Sequence, residues 1–303
     1  MGDPLKSSET PCLTGISGLD NILGGGLPRN RLYMVEGDPG VGKTTLGLQF
    51  LLEGVRNGEK VLYITLSETK DELLAVAKSH GWSLDKVNLF ELSAVEQQLR
   101  AQEGGTFFHP SETELTETVQ TLLKEVERVN ADRVVFDSLS EMRLLSETAL
   151  RHRRQILSLK SYFAKKRCTV LLLDDRSTAQ TDQQVQSLAH GVLSLECLSP
   201  DYGVSRRRGI VKKVRGLKFR EGYHDYVILK GGIQFFPRLV AAEHHAPFEP
   251  ESVSCGLPAL DALLGGGLDR GTSTILMGAA GTGKSTTALQ FAMASAHRGE
   301  RAA

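Results

Sequence analysis

The sequence predicts an α/β fold, with a mainly parallel sheet sandwiched by helices and an antiparallel C-terminal extension. Three observations lead there. Short, nearly continuous apolar runs alternate with helical patterns, as strands buried on both faces require. Glycine, 31 of 303 residues, is clustered rather than spread. A block also recurs: residues 15–62 align without a gap on 256–303, with 19 identities over 48 positions at an offset of 241. An offset of that size is a domain, not a solenoid unit.

The elements follow in order. RLYMVE (31–36) is a short apolar strand, and Gly37 to Gly42 form a turn. Thr44 to Asn57 places Leu46, Leu48, Phe50, Leu51 and Val55 as a buried helix would, and Gly58 ends it. KVLYITL is a strand, Lys70 to Ser79 a helix closed by Gly81, and VNLFEL a strand. A loop at 101–111 leads to a helix, Thr113 to Asn130, with Leu115, Val119, Leu122, Leu123 and Val126 on one face. DRVVFDSL is a strand, Leu145 to Lys166 a helix, and CTVLLLDD a strand. Residues 191–240 alternate as short strands with turns at Pro200, Gly203, Gly222 and Gly231-Gly232, the antiparallel extension. The expected organisation is therefore a tail at 1–11, a complete domain at 12–240, a linker at 241–252 carrying Pro247 and Pro250, and the start of a second domain at 253–303. Gly299-Glu300 stands where Gly58-Glu59 precedes a strand, so the sequence is expected to be a fragment of a longer chain.

Composition excludes some functions. Lys plus Arg and Asp plus Glu are 36 each, which argues against a protein devoted to coating nucleic acid or an anionic membrane. Cys12, Cys168, Cys197 and Cys255 form no C-x-x-C pair, which argues against a zinc site or disulfide scaffold. No apolar run reaches the roughly 20 residues that span a bilayer, and the N-terminus has no apolar signal core; a cytoplasmic protein is expected.

Gly37-Asp38-Pro39-Gly40-Val41-Gly42-Lys43-Thr44 fits G-x-x-x-x-G-K-[ST] between a strand and a helix, the context of a phosphate-binding P-loop. Its glycines let backbone N–H groups face phosphate oxygens, and the helix N-terminus adds positive potential. Lys43 would serve the β- and γ-phosphates of ATP, and the Thr44 hydroxyl would ligate Mg2+, with Thr45 beside it. Gly278 to Ser285 repeats the motif, with Gly281, Thr282, Gly283, Lys284, Ser285 and Thr286 in the corresponding places. Asp137, after three apolar residues at a strand end, is the second candidate metal anchor; a turn-capping role is the alternative. Glu68, after the second strand, could accept a proton from water, or could simply start the next helix. Asp174 and Asp175 at the end of LLLDD are fallback bases or γ-phosphate sensors.

Together these residues, and the leader GISGLDNILGGGLPR above all, resemble the RecA-like P-loop ATPases of the KaiC/RadA branch, and the KaiC family in particular. The resemblance implies an oligomeric signalling or timing ATPase using ATP and Mg2+. It implies a homo-oligomer, a hexameric ring, with a signalling protein as a further partner. In that family two adjacent glutamates end the second strand; here the pair is Ser67-Glu68, leaving Glu68 as the base. Lys213-Val214-Arg215-Gly216 matches a segment that reaches the neighbour's nucleotide, so the resemblance makes Lys213 and Arg215 residues acting in trans. Ser79 matches a nucleotide-side position. Serine/threonine autokinase activity is implied by the resemblance alone, and for the second copy. A solvated basic hairpin at Arg206-Arg207-Arg208 and Lys212-Lys213 is the plainer alternative.

Two other functions stay open. A RadA- or DnaB-like DNA-dependent ATPase would want cationic and aromatic channel loops, and the segments near 140–150 and 176–190 offer few cations and no aromatics. A nucleotide-dependent binding module with little turnover fits the loss of an acid at Ser67.

Overall fold

The computed structural model describes residues 10–92, 111–144, 146, 148–176, 186–240 and 251–302. They form two compact units that part at Arg238 and Leu239.

The first unit is built on one nine-stranded sheet. Its strands are β1 (Leu32–Gly37), β2 (Val61–Thr65), β3 (Asn88–Glu91), β4 (Arg133–Asp137), β5 (Thr169–Asp175), β6 (Gly191–Leu198), β7 (Arg206–Val214), β8 (Tyr223–Leu229) and β9 (Gly232–Phe236). Their order across the sheet is β3-β2-β4-β5-β1-β6-β7-β8-β9. Helices are α1 (Ser17–Ile22), α2 (Lys43–Arg56), α3 (Lys70–Ser79), α4 (Ser111–Val129), α5 (Leu139–Leu144) and α6 (Ala149–Lys165).

All of β1, β2 and β4 is buried, because helices cover both faces. Alternate residues divide between two cores. Tyr33, Val35, Tyr63 and Val135 join Leu46, Leu48 and Phe50 of α2. Leu32, Met34, Leu62 and Val134 join Val126 of α4 and Ile156 and Leu159 of α6. Arg133, fully buried, ties the leader in: its Nη1 donates to the carbonyls of Leu13 (2.6 Å) and Phe50 (2.9 Å), and Nε pairs with Glu59.

Two details depart from expectation. The strand β6 runs parallel to β1, through Tyr33 and Gly191 to Gly37 and Leu195, so the antiparallel extension begins only at β7. The helix expected over 145–166 forms as α6, starting at Ala149, and a further short helix, α5, precedes it where the sequence pattern signals none. Leu139 and Met142 bury one turn directly after β4, making α5, and the Thr148 hydroxyl then accepts from Arg151 N to cap α6 afresh. None of the described helices is long and apolar enough to cross a membrane.

The second unit holds β10 (Ser252–Val253), α7 (Pro258–Leu263), β11 (Leu268–Asp269) and α8 (Lys284–His297), with β10 and β11 as a two-stranded antiparallel ladder. Residues 273–279, the counterpart of β1, form no strand.

Candidate nucleotide site

The P-loop bends where β1 passes into α2. Gly42 is the α2 N-cap in the left-handed region (φ 98°), and a Cβ there would lie 2.7 Å from Ile228 Cδ1. Only glycine meets both demands. The turn is held from behind, because Tyr226 OH donates to Val41 O at 2.7 Å. Lys43 curls back over it, donating from Nζ to Gly37 O (2.9 Å) and Asp38 O (3.1 Å) and pairing with Asp175 Oδ1 at 2.8 Å.

In front of the turn lies a cleft of about 530 Å³. Its lining brings Pro39, Gly40, Gly42, Lys43, Thr44 and Thr45 together with Ser67, Glu68, Asp137 and Asp175, and with Val76 and Ile228. The Thr44 hydroxyl stands 3.2 Å from Asp137 Oδ2 and 3.4 Å from Glu68 Oε1. It has one proton to give to two carboxylates. Glu68 Oε2 is buried without a hydrogen-bond partner. Burial pushes the Asp137 carboxyl above its ordinary range, opposed by donors from Tyr63 and Thr44. Burial, and then the charge of Asp137, push Glu68 up as well. A hydroxyl shared by two desolvated acids, one with an orphan oxygen, fits a small divalent cation. Mg2+ takes few protein ligands and fills its remaining positions with water and phosphate oxygens. No group of three or more His, Cys, Asp or Glu that could hold a metal occurs among the described residues.

The remaining predicted residues fall in three places. Ser79 is exposed in the last turn of α3, donating to Val76 O at 2.7 Å. Lys213 and Arg215 lie at the other end of the sheet. Val214 pairs with Gly191, which pairs with Tyr33 at the start of β1, whereas the P-loop leaves its end. Arg206 and Arg208, at the P-loop end of β7, are paired with Asp225 (2.7 Å) and Glu196 (2.9 Å). In the second unit Lys284 Nζ donates to Gly278 O (2.8 Å) and Ala279 O (2.7 Å), and Gly283 repeats the left-handed N-cap (φ 84°). Gly281, Thr282, Ser285 and Thr286 lie in the same turn and its helix start.

Some neighbours were not anticipated. Tyr63 OH donates to Asp137 Oδ2 at 2.6 Å. Parity alone could have found it, since Tyr63 lies beside Val135, two residues before Asp137 and on its face. Ser140 Oγ donates to Asp174 Oδ1 (3.1 Å), and Arg143 Nη2 to Asp174 Oδ2 (2.8 Å), which buries Asp174 away from the cleft and leaves Asp175 in it. His80 joins Leu229 O (3.0 Å, through Nδ1) to the Thr45 hydroxyl (3.5 Å, through Nε2) and stacks with Trp82 at 4.7 Å. No local spacing signals a contact between residues 149 apart.

The family model for the KaiC ATPase domain matches residues 12–240 and again 253–303. The chain belongs to the KaiC family of ATPases. Nucleotide binding is what that family implies. Among relatives, the circadian clock protein KaiC2 of Synechocystis sp. is 30% identical over 297 residues, covering 96% of this chain and 51% of the relative. The circadian clock oscillator protein KaiC of Parathermosynechococcus lividus is 30% identical over 302 residues, covering 95% and 53%. This KaiC-family chain thus spans about half the length of the curated relatives it matches. A crystal structure of a KaiC-like protein from Pyrococcus horikoshii shares the fold, with a TM-score of 0.62 at 22% identity over 74% of this chain and 98% of that one.

Proposed function

We propose that residues 12–240 bind ATP with Mg2+ in the cleft and hydrolyse it, as part of a homo-oligomeric ring, hexameric by family likeness, in a signalling or timing role. One observation carries the reading: the P-loop lysine, the Thr44 hydroxyl and two desolvated carboxylates converge on one cleft. Backbone N–H groups of Gly40 to Lys43 receive the phosphates, and the Lys43 ammonium leaves Asp175 for the terminal pair. Thr44 and Asp137 would hold Mg2+, which neutralises charge on the β- and γ-oxygens. Tyr63 keeps the Asp137 carboxylate aimed by its hydrogen bond. Glu68, whose proton affinity burial raises, orients water and takes its proton. Charge developing on the γ-oxygens calls for a cation beyond Lys43. Lys213 and Arg215 supply it from the neighbouring copy, whose opposite sheet edge faces the cleft.

Glu68→Gln keeps the shape and removes the base. Turnover is expected to fall by about 10²–10⁴ with nucleotide affinity retained. Phosphate release equal to wild type sinks Glu68 as the base; no release from either protein, with ATP bound, replaces hydrolysis by a binding module. Nothing observed favours the DNA-dependent alternative: 140–144 carries one cation, Arg143, committed to Asp174, while 177–185 lies outside the described residues.

A further inference from the structure

The sheet edge opposite the P-loop carries a second concentration of charge. Lys160 of α6 donates from Nζ to Leu188 O at 2.9 Å, and Arg215 from Nη2 to Ser187 O at 2.6 Å. The Arg215 backbone N donates to His190 O, and the His190 N to Leu32 O, fixing both to the start of β1. Lys213, half-buried, stands beside Val192 on the face that α6 covers. Arg31 enters the same edge. None of these four cations has a carboxylate partner among the described residues, whereas Arg206, Arg208 and Lys212, farther along the same strand, each have one.

The donors are also under-used. A lysine ammonium has three N–H groups and an arginine five, and Lys160 and Arg215 each spend one on a carbonyl. The mutual repulsion registers on Lys213, whose ammonium is pushed below its usual range by burial and then by the charges of Arg215 and Lys160. His190 is pushed down by burial and then by Arg31, with Arg215 and Lys160 adding to it. Unpaired like charges held together in a fold cost stability unless an anion joins them.

We propose that Lys160 is a third cation acting across the subunit boundary, joining Lys213 and Arg215 to close on the terminal phosphates of the nucleotide held by the neighbouring copy. The inference rests on the trans-acting reading of Lys213 and Arg215 given above and adds a residue from a separate element. A compact ammonium is a point charge that serves bound ATP and transition state alike; a guanidinium can fork to the equatorial oxygens as charge grows there. Lys160 should therefore govern chiefly KM, and Arg215 chiefly kcat.

Lys160→Gln tests this, because its side-chain amide can still donate to Leu188 O while the charge is gone. In the full-length ATPase, the KM for ATP is expected to rise about tenfold without any loss of melting temperature, and Lys160→Arg to restore it. Mixing gives the second readout. Lys43→Ala copies lack the P-loop cation but keep an intact Lys160, so mixed with Lys160→Gln copies they should return low-KM turnover at the mixed boundaries. A wild-type KM in Lys160→Gln overturns the proposal, as does a raised KM that mixing leaves unchanged, which would place Lys160 in its own subunit's affairs. Arg215→Ala, run alongside, separates the two claims. If it loses turnover and is rescued by mixing while Lys160→Gln behaves as wild type, the trans reading stands and Lys160 alone falls. If Arg215→Ala also turns over normally, both fall.

Discussion

The two P-loops of this chain have nearly the same local geometry and opposite surroundings. Both put a left-handed glycine at the N-cap of a 14-residue helix and curl a lysine onto two carbonyls of the turn. The first is wedged into a sheet: β1 is buried throughout, and Ile228 and Ile233 press on Gly42. Ahead of the second, residues 273–279 form no strand. Ile275 and Met277, which correspond to Met34 and Glu36 of β1, are 82% and 89% exposed, and a Cβ on Gly283 would meet nothing within 4 Å. Sequence therefore dictates the bend, since helix start, glycine and lysine lie within eight residues. The rest of the site, with its acids, its phenol and its rear wall, is supplied from strands far along the chain. Thr44 is hydrogen-bonded to Asp137 and Glu68, whereas no hydrogen bond joins Ser285 to a carboxylate among the described residues.

That contrast can be tested, and the largest effect should come from the two lysines. On this chain, Lys43→Ala is expected to weaken MgATP binding by about 10²-fold, the loss of a charge-assisted contact in a closed site. Lys284→Ala should leave the affinity of that site untouched. Titration calorimetry on both variants decides it, and equal losses would mean the second turn is as complete as the first.

Next come the glycines. Gly42→Ala forces a side chain into the left-handed region and against Ile228, a cost of roughly 2–4 kcal/mol. Cleft and core share that turn, so the main melting transition should drop by roughly 5–15 °C. Gly283→Ala meets only the backbone share and should leave that transition in place.

The smallest effect is one of pH. Asp137 has its folded proton affinity raised by burial, so between the ordinary carboxylate value, about 3.9, and its raised value the folded state binds more protons than the unfolded. Stability falls as pH rises through that window and stays lowered above it. Asp137→Asn carries no such penalty. In buffer free of Mg2+ and nucleotide it should melt above wild type at pH 7, with the gap closing as pH falls to about 4. Added Mg2+ with nucleotide should reverse the order, because only the carboxylate repays it.

How far the sequence could be read follows the same division. The P-loop, the strand-end Asp137 and the alternation of strands with helices are short-range patterns, and the structure places each as a run of adjacent residues. The leader helix α1 is not legible in the sequence because its six residues show barely two turns of pattern. The direction of β6 is not legible in the sequence because its apolar alternation looks the same whether the neighbour runs with it or against it. The short helix α5 depends on Leu139 and Met142 finding a core, which only packing decides. Ile228 reaches the cleft from β8, and His80 reaches Thr45 and Leu229 from just beyond α3, across intervals that carry no periodicity.

The wiring of β1, β6 and β7 has one last consequence. Tyr33 and Gly37 sit four residues apart on β1, so the edge bearing Lys213 and Arg215 lies about 15 Å down the strands from the bend that would hold the triphosphate. No hinge in a hydrogen-bonded sheet folds one end onto the other. If both ends contribute to the same turnover, the specific rate is not a property of a molecule but of a population: it should collapse on dilution, recover on concentration, and register how crowded the molecules are with their own kind.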